Sequence, residues 1–229
     1  MLEPNGRVVM VSGASRGIGR AVALKLASSG FKVSAGVRDP KSLEEGENLS
    51  VHFYDADKIG AAEAWVDATI QRWGGVDGVV NAAGIHHLVK VFEDGEEELD
   101  EMWRVNVMGP LRVIRAAVPH LEKSGIGRVV NIASNAGKRV PNNVGYSMTK
   151  FAVVALNHGV RREGWERGIR STAICPGLVN TDMAKVFSLP PEEMSQPEDI
   201  AALVETALCV PNNAAVSELV VHCQFEPML

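Results

Sequence analysis

Residues 8–20 of the chain read VVMVSGASRGIGR, and this stretch decides the fold. The apolar run 8–11 predicts a strand that is covered on both of its faces. Beyond a glycine-rich turn, apolar residues recur at helical spacing; they are Ala21, Val22, Leu24, Leu26 and Ala27. The stretch therefore predicts a buried strand that passes through a tight turn into a helix.

The turn itself has the composition of a phosphate-binding loop. Gly13 permits backbone conformations that other residues avoid, Gly17 lets the main chain approach a pyrophosphate, and Gly19 allows the helix to pack closely on the strand. The start of the helix also offers unpaired N–H groups and a partial positive charge. We therefore expect this turn to bind a cofactor phosphate, through Gly13, Ser15, Arg16, Gly17, Ile18 and Gly19.

Length, composition and charge exclude several classes of protein. The 229 residues, of which 46% are hydrophobic and 22% charged, predict one domain over residues 1–229. A formal net charge of −5 gives no basic field, so we expect no nucleic-acid partner. No apolar run approaches the roughly 18 residues of a membrane span, and no secretory signal pattern begins the chain. We therefore expect a cytoplasmic protein with no membrane partner.

The cysteines and the one histidine pair lack the spacing of a metal site. Cys175, Cys209 and Cys223 form no Cys-x-x-Cys motif and lie among apolar neighbours, which predicts small buried side chains without disulfides. His86 and His87 have no Cys, His or carboxylate partner at ligand spacing. We expect this pair to lie in a loop, and we predict no metal.

Strand-like and helix-like segments alternate along the rest of the chain. Apolar runs predict strands over 31–37, 51–54, 76–80, 128–132, 169–174 and around 219–221. Periodicity predicts helices over about 58–73, 96–121, 146–167 and 197–208. This alternation indicates an α/β fold, a doubly wound parallel sheet of about seven strands with helices on both faces. Such sheets bind ligands at the C-terminal ends of their strands.

Candidate functional residues follow the fourth and fifth predicted strands. The segment Asn81-Ala82-Ala83-Gly84 follows the fourth strand, and Ser134 follows the fifth. Tyr146 and Lys150 are four residues apart, so a helix places both on one face. Ser134 can point into the same space.

Together these motifs resemble the short-chain dehydrogenase/reductase family over nearly the whole chain. The Gly-x-x-x-Gly-x-Gly turn, the Asn-Ala-Ala-Gly segment, the strand-end Ser and the Tyr-x-x-x-Lys pair follow in the family's order. The resemblance implies a Rossmann-like oxidoreductase whose catalytic residues are Asn106, Ser134, Tyr146 and Lys150. It also implies further cofactor contacts at Asp55, Ala56, Asn81, Ala82, Ala83, Gly84, Tyr146, Lys150, Pro176, Gly177, Val179 and Thr181.

The chain departs from the family pattern in two places. Ala82 stands where the family has a second Asn. The interval between Ser134 and Tyr146 is one residue shorter than the family's usual interval, which indicates a shortened loop over 138–145. Both changes affect loop shape and leave the candidate catalytic residues in place.

The implied chemistry depends on the protonation of Tyr146. Free tyrosine has a pKa of about 10, which is too high for efficient acid–base catalysis at neutral pH. The Lys150 ammonium and a nearby nicotinamide cation would both favour the tyrosinate. In reduction, Tyr146 would give a proton to the carbonyl oxygen that the Ser134 hydroxyl holds. Lys150 would also bind the nicotinamide ribose, and Thr181 would contact the nicotinamide amide.

The choice between NADP(H) and NAD(H) depends on Arg38 and Asp39. Asp39 lies 20 residues beyond Gly19, the usual place of an NAD ribose ligand. The family's NAD enzymes, however, carry their acid at the position of Val37. Arg38 and Arg16 can flank a 2′-phosphate, and Asp39 can instead cap a short helix that Pro40 opens. We therefore expect NADP(H), with NAD(H) as the alternative.

A proline four residues after Asn106 predicts a break in the long helix. Pro110 has no N–H to donate to the carbonyl of Asn106, and its ring crowds that carbonyl. The freed oxygen could hold a water next to Lys150 and so open a proton path, as the resemblance implies. The alternative is a proline that only bends the helix around the domain.

The sequence leaves substrate and assembly only broadly defined. A short, partly apolar segment near 182–197 is predicted to cover a small carbonyl or alcohol substrate. The apolar content of the two long helices, together with the family resemblance, predicts a homodimer or homotetramer. A 3-oxoacyl thioester reductase with an acyl carrier, and an NADP(H)-binding sensor without turnover, remain the alternative functions.

Overall fold

A computed structural model describes residues 1–141 and 143–224. The described residues form one seven-stranded sheet in the order β3-β2-β1-β4-β5-β6-β7, and all six pairings are parallel. The strands are β1 Val8–Ser12, β2 Lys32–Val37, β3 Leu49–Phe53, β4 Gly78–Asn81, β5 Arg128–Ile132, β6 Arg170–Pro176 and β7 Glu218–Val221. The predicted fold class is confirmed, while the last five residues of the expected 1–229 domain lie outside the described residues.

Helices cover both faces of this sheet. Successive side chains of a strand point to opposite faces, so Val9 and Val11 enter one core and Met10 enters the other. The first core lies under α1 (Gly17–Ser28) and α6 (Pro197–Cys209). The second lies under α2 (Ala61–Trp73), α4 (Gly109–Ser124) and α5 (Val144–Gly164). Because each buried Val or Leu contributes about 1.5–3 kcal/mol, double coverage explains the unbroken apolar strands.

The long helix predicted over 96–121 is divided into three parts. These are α3 (Glu96–Trp103), a π-helical segment (Arg104–Met108) and α4, which ends at Ser124. The N–H of Gly109 bonds to the carbonyl of Arg104, five residues earlier. Because Pro110 cannot donate a backbone hydrogen bond, the regular α-helical pattern cannot pass through this point. The expected break is therefore present, as a π-helical turn.

Several element boundaries differ from those expected. Helix α2 begins at Ala61, three residues later than expected, because Gly60 adopts a left-handed conformation (φ +82°) that precedes the helix. Strand β3 covers Leu49–Phe53 where 51–54 was expected. Helix α5 begins two residues before Tyr146, because the Asn143 side chain caps it, and ends at Gly164.

The prediction for the cysteines is mostly confirmed. Cys175 and Cys209 are buried free thiols, whereas Cys223 is only half-buried. Within residues 1–141 and 143–224, no group of three or more His, Cys, Asp or Glu side chains is placed to hold a metal ion. No helix in the described part of the chain combines the length and the apolar character that crossing a membrane requires.

Candidate active site

The glycine turn after β1 is closed tightly on its neighbours. Gly13 has a φ of +68°, and a Cβ there would lie 2.7 Å from the Cα of Ala83. A Cβ on Gly19 would lie 2.3 Å from the carbonyl oxygen of Gly13. Arg16 precedes α1, and no side chain among the described residues caps the helix there, so the N–H groups of the first turn are left for another acceptor. The glycine turn, with these unpaired N–H groups, fits the phosphate of a dinucleotide.

Ser12 joins the glycine turn to the segment after β4. Its hydroxyl oxygen accepts hydrogen bonds from the N–H groups of Ala82 and Ala83, each at 3.1 Å. Asn81 is buried and donates from Nδ2 to Oδ1 of Asn131 at 2.9 Å. The structure therefore places the Asn-Ala-Ala-Gly segment beside the glycine turn. Sequence reasoning missed Ser12, although a hydroxyl directly before the first glycine was a visible signal.

Ser134, Tyr146 and Lys150 converge where β5 ends and α5 begins. The Ser134 hydroxyl lies near the Tyr146 phenol, whose pKa it lowers; it accepts the N–H of Ala136 at 3.1 Å and donates to the carbonyl of Pro176 at 3.5 Å. Lys150 Nζ lies 5.5 Å from the centroid of the Tyr146 ring and donates to the carbonyl of Ile132 at 2.9 Å. Both predicted features, the strand-end serine and the i, i+4 pair, therefore meet in one place.

Burial sets the direction of the pKa values in this group. It raises the pKa of Tyr146 above its ordinary value, while the nearby Ser134 hydroxyl acts in the opposite direction. Burial also lowers the pKa of Lys150 to about 8. The protein alone therefore favours a neutral phenol, contrary to the tyrosinate that the sequence led us to expect from Lys150. A neutral phenol is the form that can donate a proton.

Asn106 uses its side chain in a way that the sequence did not indicate. Its Oδ1 accepts the N–H of Ile85 at 2.8 Å, and its Nδ2 donates to the carbonyl of Ile85 at 2.9 Å and to Thr149 Oγ1 at 3.2 Å. The side chain is buried. Asn106 therefore ties the π-helical segment to residue 85 and to α5, between Tyr146 and Lys150.

His86 contacts the site, and sequence reasoning missed it. The pair does lie in an irregular segment, as expected, but only His87 turns outward, where Nε2 lies 2.8 Å from Glu101. The His86 ring lies edge-on to the Tyr146 ring, with centroids 4.8 Å apart, and 6.5 Å from the ring of Phe187. Its place five residues after a strand end was the only signal in the sequence.

Asn143 was missed as well, although a capping residue could have been recognised. Its side-chain Oδ1 accepts the N–H of Tyr146 at 3.1 Å and so caps α5. Asn is a preferred residue directly before a helix, where its side-chain oxygen accepts one of the unpaired N–H groups of the first turn. This cap fixes the start of the helix that holds Tyr146 and Lys150.

The basic residues expected near a 2′-phosphate lie at the surface. Arg38 follows β2 and is exposed, with no hydrogen bond or ion pair to any described residue. Arg16 is exposed too, and its Nη1 lies 3.3 Å from Asp182 Oδ2. Asp39 accepts the N–H of Lys41 at 3.0 Å and caps the short helix Pro40–Ser42, the alternative role expected for it.

The remaining candidate contacts lie around the same strand ends. Thr181 lies beside the glycine turn, because a Cβ on Gly17 would lie 3.1 Å from Thr181 Cγ2. Its hydroxyl donates to the carbonyl of Val179 at 3.2 Å. The N–H of Gly177 is used within the sheet, where it bonds to the carbonyl of Val221 at 2.8 Å. Pro176 ends β6.

Four further candidates have structural partners of their own. Asp55 Oδ1 accepts the N–H of Asp57 at 3.1 Å, and the carbonyl of Ala56 accepts Arg112 Nη1 at 3.2 Å. Ile18 packs against the first core, and Ser15 is half-buried in the glycine turn.

A family model described as short chain dehydrogenase matches residues 7–191. An agropine synthesis reductase of Rhizobium rhizogenes is 40% identical over 227 residues, which cover 96% of this chain and 53% of that protein. The chain thus spans about half the length of the agropine synthesis reductases that it matches. An uncharacterized oxidoreductase of Staphylococcus haemolyticus is 34% identical over 97% of this chain and 99% of its own length.

Solved structures with a similar fold include two enzymes that contain bound cofactors. An alcohol dehydrogenase from the archaeon Thermococcus sibiricus, complexed with 5-hydroxy-NADP, has a TM-score of 0.85 and 31% identity, and the match covers 93% of this chain and 95% of that one. A 3-ketoacyl-(acyl-carrier-protein) reductase from Brucella melitensis, complexed with NADH, has a TM-score of 0.87 and 28% identity over 96% of this chain and 98% of that one.

Proposed function

The chain belongs to the short-chain dehydrogenase/reductase family of oxidoreductases, and from that premise we propose that it interconverts a carbonyl and a secondary alcohol with NADP(H). The observation that carries the proposal is the convergence of Ser134, Tyr146 and Lys150 beside the segment after β4, which packs against the glycine turn.

Tyr146 is the proton donor in the proposed reduction. Its phenol is held neutral by burial, so it carries the proton that the carbonyl oxygen receives. The Ser134 hydroxyl, which lies near that phenol, would orient the same oxygen. In the reverse direction Tyr146 must accept a proton, and positive charge beside the ring then favours the tyrosinate.

The cofactor is held by the turn after β1 and by the strand ends next to it. The N–H groups at the start of α1 bind the pyrophosphate, and Gly13 and Gly19 leave the space that it needs. When bound, NADP(H) supplies or accepts the hydride. Lys150 would bind the nicotinamide ribose, and Thr181, which lies beside Gly17, would contact the nicotinamide amide.

Arg38 supports NADP(H) over NAD(H). A guanidinium that no described residue engages is suited to the doubly charged 2′-phosphate. Asp39, the acid that would favour a free ribose hydroxyl, is already bonded to the N–H of Lys41. The structural relatives include one protein with an NADP analogue and one with NADH, so the preference rests on these two residues.

Asn106 and the segment 182–197 complete the proposed site. The main-chain carbonyl of Asn106, which Pro110 cannot engage, would hold a water that links Lys150 to solvent. The segment 182–197 covers the substrate, and Phe187 lies near His86 on the Tyr146 side. The apolar ring of Phe187 favours a substrate that is partly apolar.

A panel of carbonyl compounds with NADPH tests the proposal. We expect loss of NADPH absorbance with at least one ketone or aldehyde, and slower reaction with NADH. Turnover confined to 3-oxoacyl thioesters would favour the carrier-linked reductase. Tight NADPH binding without turnover on any carbonyl would contradict the proposal and favour the sensor.

A further inference from the structure

Asn143 makes hydrogen bonds to two separate parts of the site. Its Oδ1 accepts the N–H of Tyr146 at 3.1 Å and the N–H of Val89 at 3.2 Å. Both donors are backbone N–H groups, so the atom that faces them must be the amide oxygen. The orientation of the Asn143 amide is thereby fixed, with its NH₂ group on the other side.

That NH₂ group determines the tautomer of His86. Asn143 Nδ2 donates to the carbonyl of His87 at 2.7 Å and lies 3.0 Å from His86 Nε2. Because an amide NH₂ can only donate, His86 Nε2 must present a lone pair. His86 is therefore neutral, with its proton on Nδ1.

The segment that carries His86 is pressed against the start of α5. A Cβ on Gly145 would lie 2.6 Å from Val89 Cβ, so only glycine lets residue 89 approach this closely. The N–H of Gly145 also donates to the carbonyl of Val89 at 3.4 Å. A movement of the 86–89 segment would therefore be transmitted directly to the turn that carries Tyr146.

We propose that Asn143 is a positioning residue for Tyr146, and that it holds this position only while His86 offers the lone pair on Nε2. The proposal rests on the function proposed above, in which Tyr146 transfers the proton. Protonation of His86 would turn Nε2 into a donor that faces the donor Nδ2, and the hydrogen bond would be lost. Since the same amide caps the helix through its oxygen, the N–H of Tyr146 would lose a fixed partner.

The surroundings of His86 lower the pH at which its ring is protonated and the hydrogen bond with Asn143 is lost. Burial is the main cause that lowers the pKa of His86, and the neighbouring His87 lowers it further. Among the described residues, Tyr146 of α5 is the titratable group whose ring faces His86, and the segment 182–197 contributes the uncharged Phe187. Protonation of His86 is therefore expected below the ordinary histidine value of about 6.5.

Nitrogen NMR of the histidine rings tests the hydrogen bond without any assay of activity. We expect the Nδ1–H tautomer for His86 in the wild-type protein. Asn143→Asp keeps an oxygen for the two backbone donors but replaces NH₂ with a carboxylate oxygen. In this variant His86 should move its proton to Nε2, and its pKa should rise because the new charge is negative. An Nε2–H tautomer in the wild-type protein would overturn the proposal.

The pH dependence of kcat tests the positioning role. His86→Gln supplies a side-chain oxygen to Asn143 Nδ2 but does not titrate, so kcat should lack the wild-type fall at acid pH. His86→Leu removes the acceptor and should lower kcat about 10-fold to 100-fold even at pH 8, a loss that His86→Gln largely restores. His120→Gln, on α4, is the matched control and should keep the wild-type profile.

The NMR test and the kinetic test together separate this proposal from the function on which it rests. If the fall of kcat at acid pH were unchanged in His86→Gln, the positioning role would be overturned, although the wild-type protein would still turn over substrate. Failure of the proposed function would appear instead as no turnover in the wild-type protein, whatever the tautomer of His86, and would remove the catalytic part of the proposal.

Discussion

Lys150 Nζ lies 5.5 Å from the centroid of the Tyr146 ring while it donates a hydrogen bond to the carbonyl of Ile132 at 2.9 Å. The ammonium is thus held beside the phenol by the last residue of β5, and it is fully enclosed by protein. A charge in such a place costs stability, which leads to the first prediction.

Lys150→Met should stabilise the fold by about 2 kcal/mol at pH 7, because it removes a buried charge but also one hydrogen bond. Burial lowers the pKa of Lys150 to about 8, below its value in the unfolded chain. The unfolded state therefore binds more protons between these two values, and wild-type stability should rise with pH across that window.

Urea unfolding of the wild type and of Lys150→Met at pH 7 and at pH 10 measures this effect. The advantage of the variant should shrink at pH 10, where the folded wild type holds a neutral amine. Lys123→Met, at an exposed position on α4, is the control and should change little. A destabilised Lys150→Met protein would show that the lysine contributes to the fold.

Arg38→Ala should weaken binding of NADP(H) by about 10-fold to 100-fold, the range of a charge-assisted hydrogen bond, and leave NAD(H) almost unchanged. Only NADP(H) presents a 2′-phosphate to this side chain. Titration of each cofactor by fluorescence gives the two dissociation constants. Lys25→Ala, at the far end of α1, changes the net charge equally and should affect neither cofactor. Equal losses for both would remove Arg38 from the site.

Pro110→Ala restores a backbone N–H that can bond to the carbonyl of Asn106, so the π-helical segment should become more regular. We expect turnover to fall about 10-fold, as a proton path to Tyr146 is closed, with little change in NADPH binding. Pro119→Ala, at a second proline of α4, is the matched control. Wild-type kcat and solvent isotope effect in Pro110→Ala would leave the break with a structural role only.

An oligomer is expected on the apolar surface of α3 and α5. Three large apolar side chains on these helices have high exposed fractions: 40% for Trp103, 47% for Met148 and 44% for Phe151. Light scattering at micromolar concentration should give a dimer or tetramer, and Phe151→Asp should reduce the mass. Phe53→Asp, at a residue 51% exposed on β3, should not. A monomeric wild-type mass would contradict the expectation.

The sequence was most informative where the physical rule is local. Tyr146 and Lys150 share a helix face because they are four residues apart, and the alternation of apolar segments determines the parallel sheet. Pro110 predicted a break in the helix, but the form of the break depends on how α3 and α4 pack.

Other features depend on contacts between distant residues. The bond between Asn143 and His86 joins positions 57 residues apart, which no local pattern indicates. The direction of the pKa of Tyr146 follows from its burial, a property of the whole fold. The sequence therefore predicted the charge beside the phenol but not the surroundings that outweigh it.

The most direct test of the account is the turnover of Tyr146→Phe with NADPH and the best carbonyl substrate of the panel. The substitution removes only the phenol oxygen, so the fold and NADPH affinity should be retained. We predict that kcat falls at least about 10²-fold to 10⁴-fold, the usual contribution of a general acid. Wild-type turnover in Tyr146→Phe, with NADPH bound as tightly as before, would contradict the assignment of Tyr146 as the proton donor.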